Sequence, residues 1–488
     1  MLAGRVGDDA VLLARVDNEF FAVGATCTHY SGPLAEGLLV GDTVRCPWHH
    51  ACFSLRTGAA RCPPALSDLP RWRVEVLDGM VFVREKLPLQ ERAPAIVGRD
   101  AASIVILGAG AAGTTAADTL RREGFQGRVA LVDPDADAPY DRPNLSKDYL
   151  AGTIPDDYLP LHPPSYYADQ RIELLTGRTA KSIDVSGKRV LLADGTLLPF
   201  DRLLIATGAA PVVLDLPVPD GRKIHYLRTL QDCQHIIRSA AGSKRAVVLG
   251  TSFIGLEVAA SLRTRGLEVH IVGPDTLPLG RILGPELGTF IRDLHQEKGV
   301  VFHLGHTAKE WNARGVILDD GTPLAADLVV AGVGVRPNLQ LAKQAGLAVD
   351  GGILVDEGLE TSAADIFAAG DAASWIEPRT GERVRVEHWV VAERMGQHAA
   401  RSMLGERKPF DAVPFFWSQH YDVPINYVGY GGRWDKAVLE GDPAARDCAV
   451  TYYRGGRAVA LATIYRDQQS LATELEMERM LVPANQDG

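Results

Sequence analysis

Two short cysteine–histidine pairs near the start of the chain could bind a metal. They are Cys27-Thr-His29 and Cys46-Pro-Trp-His49, a C-x-H … C-x-x-H pattern. Two thiolates could hold one iron of a [2Fe–2S] cluster while two neutral imidazoles hold the other iron. The same four ligands could instead surround one tetrahedral zinc ion. The residue types therefore indicate a metal centre and leave both metals open.

A glycine-rich turn indicates a dinucleotide site. The apolar run Ile104–Leu107 leads into Gly108-x-Gly110-x-x-Gly113, and Asp133 follows about twenty residues later. In such a turn the first glycine permits a tight bend and the second lets the backbone approach a pyrophosphate, while the third lets the helix pack on the strand. The acid would bind a ribose hydroxyl.

A second turn of this kind, Gly250-Thr-Ser252-Phe-Ile-Gly255, has serine in place of the middle glycine. Two such units predict two dinucleotide sites in a duplicated α/β architecture. The following strand, Val269–Val272, ends at Gly273, where an acid would favour NAD. The choice between NADH and NADPH therefore stays open.

The elements that position these residues change character near residue 90. Before it, short alternating apolar runs separated by Gly and Pro predict a small all-β sandwich or barrel. The runs are Val11–Val16, Phe20–Val23, Thr43–Arg45, Cys52–Leu55, Arg73–Val76 and Val81–Arg84. Beyond about Pro409, strands are expected at Pro424–Gly429, Ala449–Tyr453 and Val459–Tyr465, followed by a helical tail at Ser470–Leu481.

The N-terminal loops resemble those of Rieske ferredoxins, and the resemblance favours the cluster over zinc. It continues through Gly32-Pro33, Pro47-Trp48, Ala51-Cys52-Phe53 and Thr57-Gly58. It implies Cys27, His29, Cys46 and His49 as the cluster ligands. His50 stands where the family usually has glycine, and its imidazole could face solvent or imitate a ligand.

The rest of the chain resembles a particular class of flavoprotein. Tyr140–Lys147 is similar to the Y-x-R-P-x-L-S-K signature of ferredoxin reductases that serve aromatic-ring oxygenases and cytochromes P450, and of apoptosis-inducing-factor-like proteins. Thr361–Asp371 resembles their second FAD fingerprint, and Ala206-Thr207-Gly208 resembles their A-T-G strand end. Glu387–Trp389 and Phe415–Ser418 match further segments.

From end to end, the chain resembles a Rieske domain joined to such a reductase, as in the Rieske-containing apoptosis-inducing-factor-like subgroup. The expected fold is multidomain, with a small all-β Rieske domain, two Rossmann-like α/β dinucleotide-binding domains and an α+β C-terminal domain. The expected segments are the Rieske domain 1–90, a linker 91–101, the FAD-binding domain 102–215 and 335–408, the NAD(P)-binding domain 216–334 and the C-terminal reductase domain 409–488.

The resemblance implies FAD, a Rieske [2Fe–2S] cluster and NADH or NADPH as cofactors, with NADH the commoner partner in the family. The cofactor contacts it implies are Gly108, Gly110, Ala112, Gly113, Asp133, Arg142, Lys147, Ala180, Ala206, Thr207, Gly208, Gly250, Ser252, Phe253, Ile254, Gly255, Glu257, Gly334, Gly370, Asp371, His388 and Trp389.

Family match also implies roles for four of these residues. Lys147 and Glu257 would form the catalytic ion pair beside flavin N5, and the alternative is a purely structural salt bridge. Asp371 would bind the ribityl chain. Trp389 would lie between the flavin and the cluster's docking surface, where an aromatic side chain can also be simple packing.

The expected function is NAD(P)H oxidation, with electrons passing through FAD to the chain's own Rieske cluster and on to an external acceptor such as an oxygenase, ferredoxin or cytochrome. One alternative is a redox-sensing or signalling protein whose reduced form binds partners. Another is a reductase whose Rieske domain receives electrons from elsewhere.

Composition narrows the partners and the compartment. The net charge of −10 disfavours nucleic acid and anionic membrane surfaces. We find neither a secretory signal nor a run of about 20 apolar residues that would span a membrane. Six cysteines are too few for a disulfide scaffold, which favours the cytoplasm, and Cys62, Cys233 and Cys448 are expected to lack partners. A homodimer is one allowed oligomeric state.

The sequence excludes a mechanism that uses a redox-active cysteine pair on the first flavin-side helix. Disulfide reductases of this architecture carry a C-x₄-C pair on the first flavin-side helix, whereas Thr114–Leu120 and Pro143–Leu150 contain no cysteine.

Overall fold

The N-terminal unit is built from strands, with one short 3-10 helix at Leu34–Glu36. The structure is a computed structural model that describes residues 1–88, 101–219, 221–406 and 408–480. The first strands are β1 (Leu2–Val6), β2 (Asp9–Val16), β3 (Glu19–Gly24), β4 (Leu38–Val40), β5 (Thr43–Arg45), β6 (Cys52–Ser54), β7 (Ala60–Cys62), β8 (Arg71–Leu77) and β9 (Met80–Leu87). They form two antiparallel sheets, in the orders β1-β2-β3-β8-β9 and β4-β5-β6-β7.

Alternating apolar residues of these two sheets form one core. Leu12, Ala14 and Val23 from the five-stranded sheet pack in one buried cluster with Val44 and Phe53 from the four-stranded sheet. This alternation is the reason that the sequence pattern predicts an all-β unit, and the prediction is confirmed. The expected linker, 91–101, lies outside the described residues except for residue 101.

The next part of the chain repeats a strand–turn–helix pattern. Its first elements are β10 (Ser103–Leu107), α1 (Ala111–Arg122), β11 (Arg128–Val132), α2 (Asp148–Ala151), α3 (Tyr166–Asp169), β12 (Ile172–Leu175), β13 (Ala180–Asp184), β14 (Arg189–Leu192), β15 (Leu197–Pro199), β16 (Arg202–Ile205) and β17 (Ala209–Pro211). The second copy contains β18 (His225–Tyr226), α4 (Leu230–Ala241), β19 (Arg245–Leu249), α5 (Phe253–Thr264), β20 (Glu268–Gly273), α6 (Gly280–Glu297), β21 (Val300–Leu304), β22 (Ala308–Asn312), β23 (Gly315–Leu318), β24 (Pro323–Leu324), β25 (Leu328–Ala331) and β26 (Val335–Pro337).

The chain then returns to the first copy. The returning elements are α7 (Gln340–Gln344), β27 (Ile353–Leu354), β28 (Ile366–Ala368), β29 (Ala373–Glu377), β30 (Glu382–Val384) and α8 (Trp389–Met403). Two parallel sheets result, β12-β11-β10-β16-β28 and β18-β25-β19-β20-β21, and each glycine-rich turn follows a central strand. The antiparallel pair β17-β26 joins the two units, so the two turns face a shared space.

The C-terminal unit is an antiparallel sheet with one helix. Its elements are β31 (Phe415–His420), β32 (Val423–Gly429), β33 (Lys436–Asp442), β34 (Asp447–Arg454), β35 (Arg457–Ile464) and α9 (Asp467–Arg479). The strand order is β31-β32-β35-β34-β33, and α9 packs on β32 and β35. The multidomain architecture predicted from the sequence is confirmed. Among the helices of the described residues, none is long and apolar enough to cross a membrane.

Candidate functional site

The four predicted cluster ligands lie together at the tips of two loops, one after β3 and one between β5 and β6. The Nδ1 atoms of His29 and His49 are 3.1 Å apart, and the thiols of Cys27 and Cys46 interact, since each shifts the pKa of the other. The loops pack tightly, since a Cβ added to Gly32 would stand 2.6 Å from the Sγ of Cys46. Thiols and imidazoles therefore form two separate pairs.

This separation distinguishes a two-iron cluster from a single ion. Around one tetrahedral zinc, all four ligand atoms would lie within about 4 Å of one another. Within the described residues, no three of these four ligand atoms come within 4.8 Å of one another. Burial lowers the pKa of His29 to about 3, so its imidazole is neutral, the form that binds a metal. The site fits a [2Fe–2S] cluster with two ligands for each iron.

The imidazole end of the cluster loops faces the C-terminal unit. The ring centroids of His49 and Trp417 are 4.2 Å apart, and Trp417 belongs to β31 of the C-terminal unit. Trp417 also lines the large cavity between the two parallel-sheet units. The Nζ atom of Lys147, another lining residue, lies 5.9 Å from its ring centroid. One indole therefore separates a cluster ligand from the cavity.

A second contact ties the first cluster loop to the flavoprotein signature segment. The Tyr30 ring stacks on His29 with centroids 3.9 Å apart. The Tyr30 hydroxyl donates a hydrogen bond to Asp141 and accepts one of 2.8 Å from the side-chain amide of Asn144. Burial raises the pKa of Asp141 to about 6, and the hydrogen bond from Tyr30 opposes that rise.

The cavity has a volume of about 1240 Å³ and brings most of the predicted cofactor contacts together. Those that line it are Gly108, Gly110, Ala112, Asp133, Arg142, Lys147, Ala180, Ala206, Thr207, Gly208, Ser252, Phe253, Ile254, Glu257, Gly334, Gly370, Asp371, His388 and Trp389. Gly113, Gly250 and Gly255 lie behind its wall. Their role is close packing, since a Cβ on Gly113 would stand 1.8 Å from the Gly108 carbonyl oxygen.

The first turn fits the pyrophosphate of FAD. An added Cβ on Gly110 would meet only the Nη2 atom of Arg142, at 4.0 Å, so the backbone at Gly110 faces open cavity. Gly110 also precedes α1 and offers no side chain to cap it. The first N–H groups of α1 are thus available to a phosphate, which the helix N-terminus stabilises.

The second turn differs because Ser252 caps its own helix. The Ser252 hydroxyl accepts from the Gly255 N–H at 3.5 Å and donates to the Gly332 carbonyl at 2.7 Å. Only glycine fits at position 273, because an added Cβ there would stand 2.6 Å from Cγ2 of Thr251. Thr251 fills the place from which an acid at position 273 would start.

The two predicted acids of the first unit already have partners. Asp133 accepts hydrogen bonds from the backbone N–H groups of Ala109 and Asp135, so its carboxylate holds the glycine turn in shape. Asp371 lies 3.0 Å from the guanidinium of Arg228. Their contacts with a ribose or a ribityl chain remain predictions.

Lys147 and Glu257 form a buried ion pair with 2.9 Å between Nζ and Oε2. The Ser146 hydroxyl donates to Oε2 of Glu257, and the Ser418 hydroxyl donates to Oε1, both at 2.6 Å. These donors let a carboxylate stay buried, because an unpaired buried charge is strongly unfavourable.

Two histidines extend this network and their tautomers follow from it. The single proton of the Ser418 hydroxyl goes to Glu257, so Nε2 of His420, 3.2 Å away, must donate to Ser418. The Nδ1 of His420 then accepts from Nε2 of His295 at 3.1 Å. Nδ1 of His295 is left as a bare acceptor, and it has no partner in the described part of the chain.

Sequence reasoning missed the residues that come from distant parts of the chain. Trp417 and Ser418 were noted only as members of a matching segment, while Tyr30, His420 and His295 were not singled out. The ring that contacts His49 is Trp417, and the role suggested for Trp389 in electron transfer stays a prediction. His388 stacks on Phe416 with centroids 4.1 Å apart.

Comparison with known proteins defines the class. The family described as pyridine nucleotide-disulphide oxidoreductase matches residues 102–396, the Rieske [2Fe–2S] domain matches residues 1–73, and the reductase C-terminal domain matches residues 415–486. The chain belongs to the pyridine nucleotide-disulphide oxidoreductase family and carries an N-terminal Rieske domain. It is an FAD- and NAD(P)-binding oxidoreductase of the ferredoxin-reductase type.

Particular relatives agree with this. Apoptosis-inducing factor 3 of Homo sapiens is 33% identical over 95% of this chain and 79% of its own length. The ferredoxin–NAD(+) reductase component of the anthranilate 1,2-dioxygenase system of Burkholderia cepacia is 36% identical over 78% of this chain and 94% of its own. The crystal structure of the covalent putidaredoxin reductase–putidaredoxin complex superposes with a TM-score of 0.74 at 34% identity, covering 77% of this chain and 93% of that one. Several of these relatives are named as reductases, and these names do not favour the alternative that this chain is a redox-sensing protein.

Proposed function

We propose that this protein passes electrons from NAD(P)H through FAD to its own Rieske cluster and then to an external one-electron acceptor protein. The contact between His49 and Trp417, with ring centroids 4.2 Å apart, carries the proposal. It joins a cluster ligand to the wall of the dinucleotide cavity within one chain. We also propose the domain boundaries that the sequence predicts for the Rieske, FAD-binding, NAD(P)-binding and C-terminal domains.

The cavity residues divide the work of binding. The turn at Gly110 and the N-terminus of α1 would hold the FAD pyrophosphate, while Arg142 lies beside that turn. The second turn, with Phe253 and Ile254 lining the cavity after Ser252, holds the nicotinamide dinucleotide. Bound FAD supplies the chemistry that connects a two-electron hydride donor with one-electron carriers.

The Lys147–Glu257 pair supplies fixed charge at the place of reaction. The Lys147 ammonium is held by Glu257 and lines the cavity, so it stabilises negative charge that develops there on reduction. Glu257 cannot swing away because Ser146 and Ser418 each donate to one of its oxygens. Both groups are therefore oriented before substrate arrives, and positioning rather than acid–base chemistry dominates.

The external acceptor is proposed from the kind of electron transfer that a Rieske cluster performs, one electron at a time. The Burkholderia relative is named as the reductase of a dioxygenase system, and the solved complex pairs a reductase with putidaredoxin. An oxygenase, a ferredoxin or a cytochrome would each accept single electrons from the Rieske cluster. We further propose that NADH is the favoured electron donor and that the protein acts in the cytoplasm. A homodimer is proposed as one allowed oligomeric state.

A His49→Ala variant tests whether the cluster is the exit for electrons. Wild-type protein should reduce both a flavin-reactive dye and cytochrome c when NADH is supplied anaerobically. The variant should lose the Rieske EPR signal and cytochrome c reduction while keeping flavin absorbance and dye reduction. Unchanged cytochrome c reduction in a variant without a cluster would show that electrons leave from the flavin instead.

A further inference from the structure

Cys52 and Cys62 lie directly opposite each other on neighbouring strands of the Rieske domain. Strands β6 and β7 are antiparallel, and Cys52 pairs with Cys62 in their register. The two thiols interact, since each shifts the pKa of the other. Cys52 is buried, whereas Cys62 is partly exposed. Cys62 is a free cysteine, as expected, but it has a cross-strand cysteine neighbour that the sequence did not reveal.

The backbone of this pair suits a disulfide. Residues directly opposite each other in an antiparallel sheet have Cα atoms about 4.5 or 5.5 Å apart, depending on their hydrogen bonding. Disulfides join Cα atoms about 4.4–6.8 Å apart. An S–S bond between Cys52 and Cys62 thus requires side-chain rotation and little movement of the strands.

The two thiols have unequal surroundings. The interaction with Cys52 lowers the pKa of Cys62 to about 7, and the charges of Arg394 and Arg45 add to this against the opposing effect of burial. The interaction with Cys62, together with burial, raises the pKa of Cys52. Peroxide must reach the attacking sulfur from solvent, and Cys62 is the partly exposed thiol and lies near the charges of Arg394 and Arg45. Cys62 is therefore the attacking sulfur and the buried Cys52 the resolving thiol.

We propose that Cys52 and Cys62 are an oxidisable dithiol that reacts with hydrogen peroxide or a small hydroperoxide to form a disulfide. The Cys62 thiolate attacks one peroxide oxygen, the O–O bond breaks, and the leaving oxygen takes a proton and departs as water or alcohol. The Cys52 thiol attacks the resulting sulfenic acid, the S–O bond breaks, and a second molecule, water, leaves. The two thiols lose two electrons in total, and the peroxide gains them.

This site is separate from the cluster and close to it. Cys52 follows the second cluster loop, three residues after His49. At the other end of the pair, the carbonyl of Arg61 accepts a 3.1 Å hydrogen bond from Gln397 on α8. The disulfide would therefore tie the strand that leaves the cluster loop to the strand that touches the reductase.

Peptide mass spectrometry of the holoprotein tests the proposal. Protein with an intact Rieske EPR signal is treated with hydrogen peroxide, or in a second arm with the thiol oxidant diamide, then denatured and alkylated. We expect a linked Cys52–Cys62 peptide pair in both arms. Cys62 should lose its free thiol at least about tenfold faster than Cys233, whose pKa burial raises to about 12.

Single variants assign the order of events. In Cys52→Ser, a sulfenic acid at Cys62 should be trapped by dimedone, and in Cys62→Ser, Cys52 should stay reduced. Cys448, buried in the C-terminal sheet, is the matched control within the same sample. The proposal is overturned if both thiols remain alkylatable after treatment of wild type, or if only the ligands Cys27 and Cys46 become oxidised. Dimedone on Cys52 in Cys62→Ser would overturn the assigned roles.

Discussion

Nδ1 of His50 lies 2.8 Å from a carboxylate oxygen of Glu474, and neither side chain is exposed. His50 belongs to the second cluster loop and Glu474 to α9, so the contact joins the first and last domains. The other ring nitrogen of His50 lies 3.1 Å from the Ser470 hydroxyl. Arg394 also contacts Glu474, through a 2.7 Å ion pair.

This contact gives His50 a structural role at the position where the resemblance to Rieske ferredoxins predicts glycine. Its φ angle is +61°, in the left-handed region where glycine is favoured. A histidine here bears local strain and uses both ring nitrogens against α9. Burial alone would raise the pKa of Glu474, but the charges of Arg394 and His50 hold it well below its usual range. His50 therefore anchors the Rieske domain to the reductase.

Replacing His50 by glycine should loosen this anchor without disturbing the loop. Glycine accepts the same φ angle, and Glu474 loses one buried partner, which costs about 1–3 kcal/mol of docking free energy. Stopped-flow reduction by NADH should show slower cluster reduction and unchanged flavin reduction. His306→Ala, on the partly exposed edge of the NAD(P) unit, is the control. Wild-type cluster kinetics in His50→Gly would remove the anchoring role.

The cluster should have a potential near the bottom of the Rieske range, about −150 mV rather than +300 mV. High-potential relatives resemble one another in placing a serine and a tyrosine hydroxyl near the cluster, where this chain has Ala51 and Phe53. Hydrogen bonds to sulfur stabilise the reduced cluster, so their absence lowers the potential. His50 donates no ring hydrogen bond to the cluster, since both its ring nitrogens face α9 residues, and the carboxylate of Glu474 beside it offsets a positive charge on its ring. An EPR-monitored redox titration measures the midpoint, and a value well above zero would contradict this prediction.

Lys147→Ala should slow hydride transfer more than it weakens FAD retention. Removing a preorganised charge of this kind reduces rates by roughly 10²–10³. Stopped-flow absorbance of the flavin gives the rate, and the FAD content of the purified variant gives the retention. Lys188→Ala, whose partner Asp365 is on the surface, is a matched lysine control. An unchanged rate of flavin reduction would make the Lys147–Glu257 pair purely structural.

Ser418→Ala should have a smaller effect of the same sign. It removes one of the two hydroxyl donors to Glu257 and leaves the ion pair with Lys147 in place. The lost buried hydrogen bond is worth about 1–3 kcal/mol, which corresponds to roughly a 5- to 150-fold slower flavin reduction if it all appears in the rate. Ser239→Ala on α4 serves as control. Equal rates in both variants would show that Ser418 does not orient Glu257.

Local patterns made much of the fold and part of the site predictable. The glycine turns at Gly108 and Gly250 could be predicted from the sequence because each requires a positive φ angle directly after a buried strand. The cluster ligands could be read because their spacing is contained within two short loops. These features depend on neighbours in sequence, so the sequence alone carries them.

The remaining features depend on how domains meet. Trp417 contacts His49 across more than three hundred residues of chain, and no spacing rule connects them. The partnership of Cys52 with Cys62 depends on hairpin register, and a bulge between Cys52 and Phe53 shifts that register. Ser252 could be recognised as a small residue, but its capping of α5 needed coordinates.

The central claim is electron transfer from the flavin site to the Rieske cluster inside one chain. Rapid-freeze EPR after anaerobic mixing with one equivalent of NADH measures it most directly, at several protein concentrations. We predict that the reduced-cluster signal follows flavin reduction with a first-order rate that does not change with protein concentration. A rate proportional to protein concentration, or a cluster that stays oxidised beside fully reduced flavin, would contradict the account.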